Sequence, residues 1–215
     1  MFNYSQPDFY HFSEDSIILS EIGHDIFLNL FKSDKDEVIF VDGFSGSGVV
    51  GLEFLFLLKN LKMIRGVEFI EKNKKMIGHC KLNVSKFKLG KPDYPPISIR
   101  NEDFFDLGAE SFNSGSLLFF LLNPPFFISN PTRGSKNIDR RNARFFDEGF
   151  SILNVLLKID ELSVRFKTSG LVLFRVDQVP ESFWGELPEK LKRIKVSELE
   201  DLRFNKLTRL IYWES

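Results

Sequence analysis

A single cysteine, Cys80, excludes an internal disulfide and a cysteine-rich zinc site. The three histidines, His11, His24 and His79, are scattered without metal-ligand spacing, so no metal is expected. Alanine is almost missing, present only at Ala109 and Ala143. Phenylalanine is over-used at 25 copies, and such aromatic residues normally serve packing. No apolar run approaches the ~20 residues needed to cross a membrane. The first residues, with Asp8, Glu14 and Asp15, lack the basic start and apolar core of a secretory signal. A cytoplasmic protein without a membrane partner is expected. An excess of one charge is missing as well: with a net charge of -1, any nucleic-acid footprint must be local.

What the chain does have is material for one well-cored α/β domain over residues 1–215. Glu37 to Asp42 is a short apolar run ending in a glycine cluster and reads as a buried strand. A helix is predicted from Gly48 to Lys59, a strand from Met63 to Glu68, and a helix from Lys72 to Lys86 with Met76, Ile77, Cys80 and Val84 on one face. Ile97–Arg100 is a third strand. Leu117–Leu122, the most apolar, should lie centrally. A helix from Phe145 to Ile159 and a strand from Gly170 to Val176 follow. This alternation predicts a parallel, doubly wound sheet covered on both faces. The closing runs, Arg193–Leu199 and Thr208–Trp213, are joined too briefly for a parallel crossover and predict an antiparallel hairpin at one edge. Residues 1–31 read as an added helical segment, with Ser13 placed to cap a helix carrying Ile17, Ile18 and Ile22.

Two motifs carry chemistry. Asp42-Gly43-Phe44-Ser45-Gly46-Ser47-Gly48-Val49-Val50-Gly51 follows a strand and opens a helix, where glycines allow a sharp turn and close approach of a ligand. Glu68, read as the end of the next strand, would accept the two hydroxyls of a ribose. Gly46, Gly48 and Gly51 also satisfy the dinucleotide pattern, so a nicotinamide oxidoreductase is an alternative. A pyrophosphate wants bare backbone donors at a helix N-terminus, and Asp42 would stand beside it as a like charge. The sulfonium and ammonium of S-adenosylmethionine suit an acidic strand end better. The second motif, Asn123-Pro124-Pro125-Phe126-Phe127, follows the most apolar strand. Its prolines stiffen the backbone and leave carbonyls free. The Asn123 amide oxygen and the Pro124 carbonyl can both accept from one NH₂ group, leaving the nitrogen lone pair available, and Phe126 offers a face for a planar base.

Together, Asp42 to Gly48, Glu68 and Asn123-Pro124-Pro125-Phe126 resemble the first, second and fourth motifs of class I S-adenosylmethionine-dependent amino-methyltransferases. The resemblance implies a Rossmann-like seven-stranded sheet in the order 3-2-1-4-5-7-6, with the seventh strand antiparallel. It implies S-adenosylmethionine as cofactor, lined by Asp42, Gly43, Phe44, Gly46, Gly48, Glu68, Phe69, Asp103, Phe104 and Asn123, with Asp103 on its adenine. Asn123, Pro124 and Phe126 would be catalytic. A module that binds the cofactor without catalysis is a further alternative, against which the intact Asn123-to-Phe126 motif argues.

The segment Phe12-Ser13-Glu14-Asp15-Ser16-Ile17-Ile18-Leu19, Phe127 and Ala143-Arg144 are similar to the bacterial tRNA(Val) adenine-N6 methyltransferase family. The His-Glu that usually follows that Ala-Arg is here Phe145-Phe146. Gly48 to Glu53 and Thr208 to Tyr212 resemble the family that methylates guanine in 16S ribosomal RNA, which usually carries Asp at the position of Asn123. DNA adenine and protein glutamine methyltransferases share the Asn-Pro-Pro-Phe motif. Structured RNA is the expected partner. Arg133, Arg140, Arg141 and Arg144, with Phe126 and Phe127, would bind it, as cations over the cleft hold phosphates beside a flipped base.

Overall fold

The computed structural model describes residues 3–32, 37–88, 94–125 and 151–215, with the backbone of 127–128 and 145–146. Seven strands form one sheet: β1 Val38–Asp42, β2 Ile64–Ile70, β3 Ile97–Arg100, β4 Leu117–Leu122, β5 Lys167–Arg175, β6 Lys195–Leu199 and β7 Thr208–Glu214. Their order is β3-β2-β1-β4-β5-β7-β6. The first five in that order pair in parallel, and β7 runs antiparallel to both β5 and β6. The strand order expected from the resemblance is the one found, edge hairpin included.

The apolar runs take the middle because both faces there are covered. Every residue of β1 is buried, as are the last five of β4. Helices α1 (Glu14–Leu30), α2 (Val49–Leu57) and α3 (Lys74–Lys88) cover one face, where Leu19, Phe27, Phe40, Phe54, Phe69 and Phe119 pack together. Helices α4 (Ile152–Leu162) and α5 (Phe183–Lys190) cover the other, around Phe120, Leu156, Ile159 and Trp213. The predicted face of α3, Met76, Ile77, Cys80 and Val84, is buried.

Three details differ from expectation. The helix read from Phe145 begins at Ile152, because Ser151 and Asn154 close a reciprocal capping box there. Phe145–Phe146 instead forms a short parallel bridge with Phe127–Ile128, in keeping with the strand preference of aromatic residues. Ser13 does stand at the N-cap of α1, but its side chain makes no capping bond.

The N-terminal segment is built into the domain. A Cβ on Gly23 of α1 would lie 2.5 Å from Leu121 of β4, so the missing side chain is what lets the helix sit on the central strand. Ahead of α1, the Tyr4 hydroxyl donates to Glu53 at 2.7 Å, and the Ser5 N–H donates to Asn83 Oδ1 at 2.6 Å. Asn83 Nδ2 then donates to the carbonyls of Ser5 and Ser47, both at 2.9 Å, which joins this strap to the glycine loop.

Candidate cofactor and acceptor site

The glycine loop turns with two left-handed residues, Gly46 at φ 54° and Gly48 at φ 83°, a region that side-chain-bearing residues avoid. Asp42, wholly buried at the end of β1, accepts the Gly51 N–H at 2.9 Å and so holds the first turn of α2 against the strand end. Burial pushes its carboxyl up to about 8, against the opposing pull of the Gly51 N–H and with a further push from Glu71.

Glu71 was not singled out in the sequence, yet it is the carboxylate that meets the loop. Its Oε2 accepts the Gly46 N–H at 2.9 Å and its Oε1 the Asn73 N–H at 2.7 Å. Burial raises its pKa, while these two N–H groups and Lys72 oppose the rise. Glu68 was expected at the end of β2, but the strand runs on to Ile70, because Phe69 and Ile70 are both buried and extend the apolar run. Glu68 therefore pairs beside Val41 and Ser98, inside the sheet. One of its oxygens is buried with no partner among the described residues, and burial raises its pKa. Glu71 is the first residue past the strand. The parity of the run Val67-Glu68-Phe69-Ile70, followed by the Asn73 side chain capping α3 at Lys75 N, was the available signal.

The other expected residues divide into two groups. Gly43, Phe104 and the residue before Asn123 converge: a Cβ on Gly43 would lie 2.5 Å from Leu122 and 2.8 Å from Phe104. Phe44 packs over Phe104, ring centroids 4.9 Å apart. Asp103 accepts the Phe105 N–H at 3.2 Å, starts a short 3-10 turn and pairs with Lys72 at 3.4 Å. Phe69 stands apart, fully buried beneath the loop, where a Cβ on Gly51 would come within 2.5 Å of its ring. Asn123 is half-buried directly past β4 and Pro124 is buried. Asn123 Nδ2 donates to Ser16 Oγ of α1 at 3.0 Å, a bond between residues 107 apart in sequence. Phe126, Arg133, Arg140, Arg141 and Arg144 lie outside the described residues, and of Phe127 only the backbone is described.

The loop, Glu71, Asp103 and Asn123 thus stand at the carboxyl ends of β1, β2, β3 and β4, with the strand order reversing between β1 and β4, where doubly wound sheets bind ligands. No protein-family model and no curated protein sequence matches the chain. Solved structures do. The catalytic domain of human METTL16, in complex with MAT2A 3′UTR hairpin 1, aligns over 99% of this chain and 74% of that one, at 14% identity and a TM-score of 0.65. The chain has a methyltransferase fold. The N-terminal domain of human METTL16 with S-adenosylhomocysteine aligns over 96% of this chain and 72% of that one, at 13% identity and a TM-score of 0.56. An rRNA methylase from Streptococcus thermophilus aligns over 90% and 93%, at 14% identity and a TM-score of 0.54. In this methyltransferase fold no described helix is long and apolar enough to cross a membrane, and no three His, Cys, Asp or Glu side chains gather among the described residues as a metal site would require.

Proposed function

We propose that the chain is an S-adenosylmethionine-dependent methyltransferase acting on an exocyclic amine of an RNA base, adenine N6 before guanine N2. One observation carries the choice of cofactor: the Gly46 N–H, a donor that a dinucleotide's pyrophosphate would need, is already taken by the half-buried side chain of Glu71. A loop donor already held by the Glu71 side chain is not free for a pyrophosphate, and an acidic acceptor at that place favours a cation. S-adenosylmethionine, when bound, supplies an electrophilic methyl group on a sulfonium. Glu71, with one N–H on each oxygen and lone pairs to spare, would hold its ribose hydroxyls. Asp103 and Phe44 would flank its adenine, with Gly43, Gly46 and Gly48 giving backbone access. Phe69 supports this loop from below, and Glu68 belongs to the sheet.

The Ser16 bond supports the choice of acceptor. Because the Asn123 NH₂ group donates to Ser16, the amide oxygen is the atom left for the cleft. That oxygen and the Pro124 carbonyl can accept both protons of an amine and keep its lone pair free, a positioning contribution of the kind that dominates such transfers. The RNA neighbours and the adenine-type motif, with Asn rather than Asp at position 123, favour RNA adenine.

Transfer of labelled methyl from S-adenosylmethionine to tRNA, ribosomal RNA, DNA and protein in parallel tests this reading. N6-methyladenine in RNA is the expected product. Label on guanine moves the base assignment, and label on DNA or protein, or none at all, overturns the RNA reading. Asn123→Ala should lower turnover by orders of magnitude with cofactor affinity unchanged. Glu71→Ala should weaken cofactor affinity, and Glu68→Ala should leave it nearly unchanged. The opposite result for the two glutamates would reverse their assigned roles.

A further inference from the structure

Helix α3 carries five lysines, Lys74, Lys75, Lys81, Lys86 and Lys88, and no acidic residue, in a chain whose net charge is -1. Three of them, Lys74, Lys81 and Lys88, recur every seven residues and so return to one exposed face about every 10.5 Å. Gly78 and Ser85, both exposed, separate them, and a Cβ on Gly78 would meet nothing within 4 Å. The stripe is therefore open, with nothing bulky between the cations. Among the described residues no ion pair joins Lys74, Lys81 or Lys88 to an acidic side chain.

Helix stability accounts for Lys86 and Lys88, which stand in the last turn where cations are favoured, and leaves Lys74, Lys75 and Lys81 unexplained. The N-terminal end of a helix favours acidic side chains and opposes cations, yet Lys74 and Lys75 fill the first turn and no acidic residue does. Within α3 no acidic residue stands three or four positions from Lys74, Lys81 or Lys88, so these three gain nothing from pairing along the helix. The first turn starts three residues after Glu71, so the stripe begins beside the glycine loop and runs away from it. With β1 alone between β2 and β4, Glu71 and Asn123 end strands only about 10 Å apart. A polyanion lying along the stripe would have its near end beside the amine-holding site.

We infer that the exposed lysine face of α3 is a docking surface for the RNA substrate, binding backbone phosphates that flank the modified nucleotide. The inference rests on the RNA reading above and is independent of the arginines between Phe127 and Phe146. Phosphate contacts of this kind position a substrate without reading its sequence and release counterions on binding.

The test is the salt dependence of binding by the full chain to a fluorescein-labelled, unmodified RNA hairpin, followed by anisotropy. A triple variant, Lys74→Gln, Lys81→Gln and Lys88→Gln, is compared with a control of equal charge change, Lys59→Gln, Lys62→Gln and Lys195→Gln, whose positions are also exposed. The α3 triple should make the log K against log[salt] slope shallower by about 2 to 3, as expected for three lost phosphate contacts, with the control unchanged. Removing Lys74 from the first turn favours the helix and removing Lys88 from the last turn opposes it, so a nearly unchanged Tm is expected. Equal shifts in both triples, or none in either, overturn the docking surface. So does an α3 face that binds phosphatidylserine vesicles while the hairpin is ignored. Methyl transfer by the wild type is measured alongside. Transfer to RNA with an unmoved slope sinks the lysine stripe alone, whereas a moved slope without transfer to RNA keeps the stripe as an RNA-binding face and sinks the reading of RNA as the methylated substrate.

Discussion

Asp42 is a carboxyl kept largely uncharged at neutral pH by burial, with a carboxylate-like contact to only one N–H. Its native pKa of about 8 lies above the ordinary 3.8, so the folded chain keeps a proton that the unfolded chain releases between those values. The stability this group lends is complete below the lower value and declines as pH rises through the window, by at most about 1.4 kcal/mol per pH unit. Asp42→Asn keeps an acceptor for Gly51 and cannot titrate. Urea unfolding from pH 4 to 8 should therefore show a flatter stability profile for the variant, and an unchanged slope would assign the titration to another group. Ser16 acts through a different residue. Ser16→Ala should leave cofactor affinity and Tm near wild type while lowering kcat roughly ten- to a hundred-fold, the scale of a small misplacement at a reacting group. In an Asn123→Ala background the same change should cost nothing further. A second loss there would mean that Ser16 works by some other route.

At the level of elements, α1 and β4 form the contact on which the proposed acceptor side rests. Leu121 and Asn123 lie two residues apart, one gripping α1 by packing and the other by a hydrogen bond. Gly23→Val drives methyl groups into Leu121, an overpacking that should lower stability by about 1–3 kcal/mol in chemical denaturation. It should also reduce turnover more than Ser16→Ala does, since the whole helix must shift. Ile97–Arg100 and Leu117–Leu122 were legible to the residue, the first from its apolar-polar alternation and the second as an apolar run bounded by turn-formers. The helix after Asn123 was misplaced by seven residues, since the Ser151 and Asn154 capping signal was outweighed by the apolar look of Phe145-Phe146. Glu71 was missed for a related reason: two acidic residues stand three apart, and the parity of Val67-Glu68-Phe69-Ile70 that carries β2 on to Ile70 was given less weight than the acidic residue at position 68.

Across the whole molecule, the alternation of elements made the parallel sheet and its edge hairpin legible, while the strand order came through the resemblance carried by the two motifs, and the observed sheet agrees with both. Contacts between distant residues were not legible, since nothing in the local pattern of Ser16 points to Asn123, or of Ser5 to Asn83. Those contacts set a schedule for folding. Ser16 precedes Asn123 by 107 residues, so at about 5–20 residues per second a ribosome needs roughly 5–20 s between them. Through that interval Leu19 and Phe27, wholly covered in the finished domain, have no β4 to lie on. The helix bonded to Asn123 thus stays open on its β4 side to chaperones and proteases, and that side closes only when the central strand arrives.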